Sequence, residues 1–202
     1  MSHDVLSEVA EQTLAPPLMR SHWTVDLVQR MPHLEGERYE IIDGELVVTT
    51  QPHTRHQRLC QKLGNQLDNW GEQSGVGLVI PAPGLIYADD QAVAPDLVWV
   101  SKARLAEILG ADGKLHGSPE IVVEIVSPGK TNEERDREKK LALYSRQGVP
   151  EYWIADWQVQ TIDVYRRAQD KLMLVQTLKA QDELTSPLLP GFACPINRLF
   201  EL

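Results

Sequence analysis

No stretch constrains this chain more than Pro119 to Pro128, P-E-I-V-V-E-I-V-S-P. A short β-branched apolar run bounded by prolines predicts a strand buried on both faces in the middle of a sheet. Side chains alternate along a strand, so Glu120, Val122, Glu124 and Val126 face one way and Ile121, Val123 and Ile125 the other. One carboxylate, Glu124, therefore stands in apolar surroundings. Ionised, it is costly there unless a cation, a metal or several hydrogen-bond donors meet it. A structural ion pair with Arg or Lys answers that need as readily as a metal ion does.

The remaining chain supplies elements to surround this strand. Residues 1 to 21 read as a flexible N-terminal arm, and 22 to 202 as a single domain. Ser21 or Thr24 is placed to cap a short helix carrying Trp23, Leu27, Val28 and Met31. Y-E-I-I-D-G-E-L-V-V-T, from Tyr39 to Thr49, predicts a hairpin turning at Asp43-Gly44. A helix follows from about Thr54 to Gln73, with Leu59, Leu63, Leu67 and Trp70 at spacings of three and four. Leu78 to Tyr87 reads as one strand interrupted at P-A-P-G, with Asp89-Asp90 as a turn. A-P-D-L-V-W-V-S, from Ala94 to Ser101, is a second apolar strand with a carboxylate, Asp96, at its mouth, and a helix over Lys102 to Leu109 comes next. After Pro128, Thr131 and Asn132 are candidate caps for a helix running to about Gln147, where Gly148 stops it. Three strand-like runs follow, Glu151 to Asp156, Thr161 to Arg166 and Leu172 to Leu178, and the apolar tail S-P-L-L-P-G-F is expected to pack back on the domain. This order predicts a mixed α/β (α+β) domain with one central sheet flanked by helices and a C-terminal β meander.

Composition narrows the function classes. The net charge of −9 disfavours a protein coated with nucleic-acid-binding charge, while leaving room for a local basic patch. Such a patch exists in the sequence. Ser127 to Arg146 holds six basic residues against four acidic, a net of +2, so the rest of the chain carries −11. The two cysteines, Cys60 and Cys194, are far apart and outside any metal-binding pattern, so no disulfide framework and no zinc site is expected. The acidic start lacks a basic region followed by an apolar core, and no apolar run approaches ~18 residues, so neither a signal peptide nor a membrane span is expected. A cytoplasmic protein is the resulting expectation.

Asp96 and Glu124 lie on strands that can be neighbours, and two adjacent carboxylates repel each other. A hard divalent cation such as Mg²⁺ or Mn²⁺ resolves that repulsion, takes oxygen ligands and typically uses one or two protein carboxylates. It lowers the pKa of a bound water and neutralises charge developing on a phosphodiester. A lysine beside it can orient the water or stabilise the added negative charge.

The hairpin Y-E-I-I-D-G-E-L-V-V, the R-H-Q-R-L helix, A-P-D-L-V-W-V-S, E-I-V-V-E-I-V-S-P, K-L-A-L-Y-S-R-Q-G-V-P-E-Y-W-I-A-D and S-P-L-L-P-G-F together resemble the Uma-two family. These are restriction-endonuclease-like proteins of the PD-(D/E)xK nuclease superfamily, and the resemblance spans roughly residues 22 to 200. It implies a restriction-endonuclease-like core, with Pro95-Asp96 as the PD element and Glu124 as the (D/E) element. The superfamily's lysine would stand at position 126, but this chain has Val126 there. The family motif K-L-A-L-Y implies that Lys140, on the following helix, takes its place; helical periodicity alone does not choose between Lys139 and Lys140. Lys140 also reads as one of several solvated lysines on a charged helix. The resemblance further points to His56, which could touch substrate or tune the metal, although a solvent-facing helical histidine is the plainer reading. Glu40 could supply a third acidic group or be a plain strand-surface glutamate. Arg55, Arg58 and Lys62 could bind phosphate or cover an exposed helix face.

The expectation is thus a Mg²⁺- or Mn²⁺-dependent endonuclease acting on nucleic acid, with DNA as the expected substrate. Asp96 and Glu124 would bind the metal, and Lys140 and His56 would serve catalysis. The alternative is a nuclease-fold binding or assembly module without turnover, favoured by the net charge and by Val126. A homodimer is expected, because the C-terminal meander reads as an unusually apolar sheet edge and two sites suit a cut of both strands.

Overall fold

The computed structural model describes residues 22–201, so the expected arm over residues 1–21 and the candidate cap Ser21 lie outside the described residues. Thr24 does cap: it is extended and its hydroxyl accepts the Leu27 N–H at the start of α1 (Val25–Arg30). Next, β1 (Arg38–Ile42) and β2 (Glu45–Thr49) pair antiparallel across Asp43 and Gly44. Both turn residues have positive φ, 51° and 74°, which a two-residue primed turn requires and which asparagine, aspartate and glycine tolerate. The long helix α2 (Thr54–Ser74) buries Leu59, Leu63 and Leu67 along one stripe, matching their spacing.

Beyond α2 the single interrupted strand expected over Leu78 to Tyr87 is instead two strands in different sheets. β3 (Gly77–Pro81) pairs with β6 (Leu97–Ser101), whereas β4 (Leu85–Ala88) pairs with β5 (Gln91–Val93) across Asp89-Asp90. Pro81 and Pro83 lack an N–H for the ladder, so pairing breaks at P-A-P-G and the chain crosses between sheets. The expected central sheet is the six-stranded one, and a four-stranded sheet and a two-stranded ribbon accompany it. A short helix, α3 (Lys102–Ile108), leads from β6 towards β7 (Ile121–Ile125), the strand around which the rest was expected to gather.

After β7 the helical region comprises α4 (Lys130–Glu134), a π-helical segment (Arg135–Lys140) and α5 (Leu141–Arg146). It begins ahead of the caps expected at Thr131 and Asn132. Gly129, at φ 111°, makes the bend, and Asn132 sits in the first turn, its amide donating to the Pro128 carbonyl. The chain continues as β8 (Glu151–Asp156), β9 (Thr161–Ala168), β10 (Lys171–Leu178), β11 (Glu183–Leu184), β12 (Cys194–Pro195) and α6 (Ile196–Phe200).

The main sheet runs β10-β9-β8-β7-β6-β3, with β7 and β8 parallel and its other pairs antiparallel, so it is mixed as expected. The second sheet runs β2-β1-β5-β4, and β11 pairs with β12. The predicted alternation along β7 is observed. Ile121, Val123 and Ile125 pack with the α2 leucines on one side, and Val122 and Val126 pack with Leu143 and Tyr144 on the other. The tail packs back, burying Leu189 and Phe192.

The meander forms, but its apolar residues are core rather than edge. Tyr152, Trp153, Ile154, Ile162 and Val164 are fully buried, because the tail covers one face and α5 the other. Exposed apolar side chains instead occupy the outer strand β10, at Met173, Leu174 and Val175. Among the described residues no helix is long and apolar enough to cross a membrane.

Candidate active site

The register of β6 against β7 sets Leu97 opposite Val123, and extending it by one residue brings Asp96 across from Glu124. Directly opposed residues of an antiparallel pair share a face with Cβ atoms about 5 Å apart. The two carboxylates expected to act together are therefore neighbours. The Ile125 N–H donates to Asp96 Oδ2 at 2.8 Å, tying Asp96 to the residue beside Glu124.

Lys140 arrives from the π-helical segment, inside which Asp136 and Lys140 are both buried. Such a segment changes the register of the helix by about one residue, and these bulges recur at functional sites. Within it the two lysines between which periodicity could not choose point different ways. Lys140 Nζ lies 2.8 Å from Glu124 Oε1 and 2.9 Å from Glu40 Oε1, and the residue is 1% exposed. Lys139 turns outward to Glu45. The reading of Lys140 as a solvated lysine is therefore wrong. Val126, at the position of the superfamily's lysine, packs in the core instead.

Glu40 is likewise no surface residue. It is 1% exposed, and its Oε1 accepts the Ala94 N–H at 2.8 Å as well as the Lys140 ammonium. His56 is not solvent-facing either: it lies on the inner side of α2, 5% exposed, with Nε2 3.1 Å from Asp96 Oδ2. With Asp96 ionised, Nε2 must carry the proton and donate. Its Nδ1 is buried without a hydrogen-bond partner among the described residues.

Sequence reading missed four members of the cluster. Arg38 Nη1 donates to the Ala94 carbonyl and to Asp96 Oδ1, at 3.1 and 3.3 Å. The Tyr144 hydroxyl donates to Glu124 Oε1 at 2.9 Å, and Arg135 makes a two-pronged pair with buried Asp136. Tyr144 was discoverable, because four residues after Lys140 it shares the inward helix face. Arg38, Arg135 and Asp136 carried no local signal.

Electrostatics divide the two carboxylates. Burial pushes the Asp96 carboxyl up, but the His56 hydrogen bond and charge, the Ile125 N–H and Lys140 together bring it down to about 2. Burial pushes Glu124 up to about 8; Lys140 pulls against this, while Asp96, Asp136 and Glu40 add to it. Burial opposes the Lys140 cation, yet Glu124 and Glu40 hold it above the usual lysine range. Because two carboxylates share that one ammonium, Lys140 stays charged even when Glu124 takes a proton. Counting Glu40, Asp96, Glu124 and Asp136 against Arg38, Arg135 and Lys140, with His56 neutral, leaves one negative charge in excess when Glu124 is ionised and none when it holds a proton.

Arg38, Glu40, His56, Asp96, Glu124, Arg135 and Lys140 face a cavity of about 550 Å³, bounded by the Arg38–Glu40 strand, the Thr49–His53 turn and the Ser127–Arg135 bend. The donor set suits a hard cation. It is all oxygen, it carries an excess negative charge once Glu124 gives up its proton, and Glu124 Oε2 has no hydrogen-bond partner among the described residues. Among those residues no three His, Cys, Asp or Glu side chains converge as a metal site, and Mg²⁺ needs only one or two protein carboxylates with water completing its shell.

The family profile described as "Putative restriction endonuclease", Uma-two, matches residues 25–197. A solved structure described as a putative nuclease belonging to DUF820, from Anabaena variabilis ATCC 29413, has a similar fold. The TM-score is 0.69 at 18% identity, over 88% of this chain and 97% of that one. No curated protein matches the sequence.

Proposed function

Because the chain belongs to the Uma-two family of restriction-endonuclease-like proteins, we propose that it is a metal-dependent endonuclease that hydrolyses phosphodiester bonds in nucleic acid, DNA first. One observation carries the reading: Asp96, Glu124 and Lys140 converge, all nearly inaccessible to solvent, on a single cavity. A buried cluster of opposed charges costs stability, so its retention beside a cavity favours chemistry over scaffolding.

Asp96 and Glu124 would hold Mg²⁺ or Mn²⁺. Such an ion, when bound, supplies Lewis acidity and a water of lowered pKa. The chain's own residues do the rest. Lys140, fixed by Glu40 and permanently cationic, is placed to stabilise negative charge gathering on the phosphoryl oxygens or to position the attacking water. His56 and Arg38 orient Asp96 and keep it ionised. Tyr144 orients Glu124 through its hydroxyl. The proposal includes a homodimer, for which the exposed β10 edge offers an apolar contact.

A second reading is a nuclease-fold module that binds without turnover. The Lys140–Glu124 ion pair favours it, since Glu124 is already satisfied by a cation. Incubating purified protein with plasmid and oligonucleotide substrates in Mg²⁺, Mn²⁺ and EDTA separates the two. Metal-dependent cleavage by wild type, lost in Asp96→Asn, is the expected result. Binding without cleavage under every metal condition would hand the site to the second reading.

A further inference from the structure

We infer that His53, Trp157 and the basic face of α2 form a subsite holding an unpaired, single-stranded stretch of nucleic acid as it leaves the cavity. The inference rests on the nuclease reading of that cavity. The cavity of about 550 Å³ falls within the ~300–1,000 Å³ of small-molecule pockets, and Asp96, Glu124 and Lys140 line it at 6% exposure or less. A base stacks on a side chain only once it has left its own stack, so an aromatic pair at the wall of this cavity argues for an unpaired strand.

Charge and aromatic placement say where the strand continues. Several exposed cations elsewhere are spent on carboxylates, as in Arg30–Asp26, Lys130–Glu134 and Arg146–Asp43. Arg55, Arg58 and Lys62 differ. They share one face of α2, at spacings of three and four, and among the described residues none meets a carboxylate. Arg58 donates to Gln61, Lys62 donates to backbone carbonyls, and the Arg55 guanidinium carbon stands 5.9 Å from the centre of the Trp157 ring. His53 stacks on Trp157, with ring centroids 4.8 Å apart and planes 16° from parallel. His53 is also exposed and lines the cavity, so the stack ends at the cavity wall with a histidine face open to a base. An aromatic platform beside a basic track is how proteins hold single strands without reading sequence.

The test is fluorescence anisotropy on the full chain in EDTA, with a labelled oligothymidylate and a labelled duplex of equal length, across a salt series. Wild type should bind the oligothymidylate more tightly than the duplex. Arg55→Glu with Arg58→Glu should weaken oligothymidylate binding at least tenfold and flatten the log–log salt slope by about 0.7 per lost phosphate contact. Because Trp157 is partly buried, Trp157→Ala is checked for folding by circular dichroism. Folded, it should weaken binding about tenfold, as loss of one stacked base does. An unchanged affinity and salt slope in the charge-reversed protein, or duplex binding as tight as oligothymidylate binding, overturns the subsite even if wild type cleaves DNA. Lost binding on charge reversal, in a protein that cleaves nothing with any metal, upholds the subsite and overturns the nuclease reading instead.

Discussion

Glu124 and Lys140 are the residues on which the chemistry turns, and each makes a separable prediction. Lys140→Ala removes the fixed cation and should lower turnover about 10²–10³-fold. It also leaves Glu40 and Glu124 buried without their shared cation, so stability should fall by about 3–5 kcal/mol in urea unfolding. Lys139→Ala loses only an exposed pair and should change stability by less than about 1 kcal/mol and turnover little. Glu124→Gln behaves differently, because Lys140 keeps Glu40 and glutamine can still accept from Lys140 and Tyr144. The folded-state pKa of Glu124 is raised from 4.5 to about 8, so its contribution to stability is complete below 4.5 and is lost as pH rises through about 8. Melting temperature should therefore fall with pH over that window in wild type and stay flatter in Glu124→Gln. Asp96 has the opposite sign: its pKa is lowered from 3.8 to about 2, so its contribution is present above 3.8 and lost as pH falls through about 2. Acid melts of Asp96→Asn should lack that limb. A Glu124→Gln protein strongly destabilised at pH 7 would mean that Glu124 serves only as an ion-pair partner.

Among the elements, the π-helical segment does most to build the site. On it Asp136 and Lys140 both point inward while Lys139 turns out to Glu45. Glu138, exposed inside the segment, is the residue whose removal should restore ordinary helical register. Deleting it turns either Lys140 or the Arg135–Asp136 pair by about 100° around the helix. Cleavage should drop at least a hundredfold, while far-ultraviolet circular dichroism stays close to wild type. Cleavage near the wild-type rate would show that the segment is incidental. The β1–β2 hairpin is the second such element, since it carries Arg38 and Glu40 to the cavity from the smaller sheet.

For the whole molecule, the paired carboxylates Asp96 and Glu124 predict metal-linked stability, strongest as pH rises towards about 8 and Glu124 ionises. Added Mg²⁺ should raise the melting temperature of wild type and not of Asp96→Asn, because a ligand bound only by the folded state stabilises it. No Mg²⁺ effect on wild type at millimolar concentration would count against the metal site. The exposed Met173, Leu174 and Val175 of β10 predict self-association. Light scattering at micromolar concentration should report a dimer that Leu174→Lys returns to a monomer. A wild-type monomer would remove this edge from the proposal.

The sequence alone determined what local periodicity and turn chemistry encode. Proline-bounded β7 with its alternating faces, the Asp43-Gly44 turn, the α2 leucine stripe and the meander strands were all legible, as was the possibility that the strands of Asp96 and Glu124 are neighbours, whereas their register came from the fold. Each legible feature depends on residues close in the chain, or on two apolar strands that can be neighbours. Four further things depended on tertiary structure. P-A-P-G is a crossing between sheets because pairing partners far along the chain divide there. Glu40 and His56 are buried because a second sheet and α2 close over the β6 end. The meander's apolar side chains are core because the tail covers them. Lys140 rather than Lys139 enters the site because the helix packs with that face towards Glu124 and Glu40, a choice that local periodicity leaves open. Burial and charge pairing are sums over the whole fold, so the costliest groups in this protein are those whose partners only the folded chain could supply.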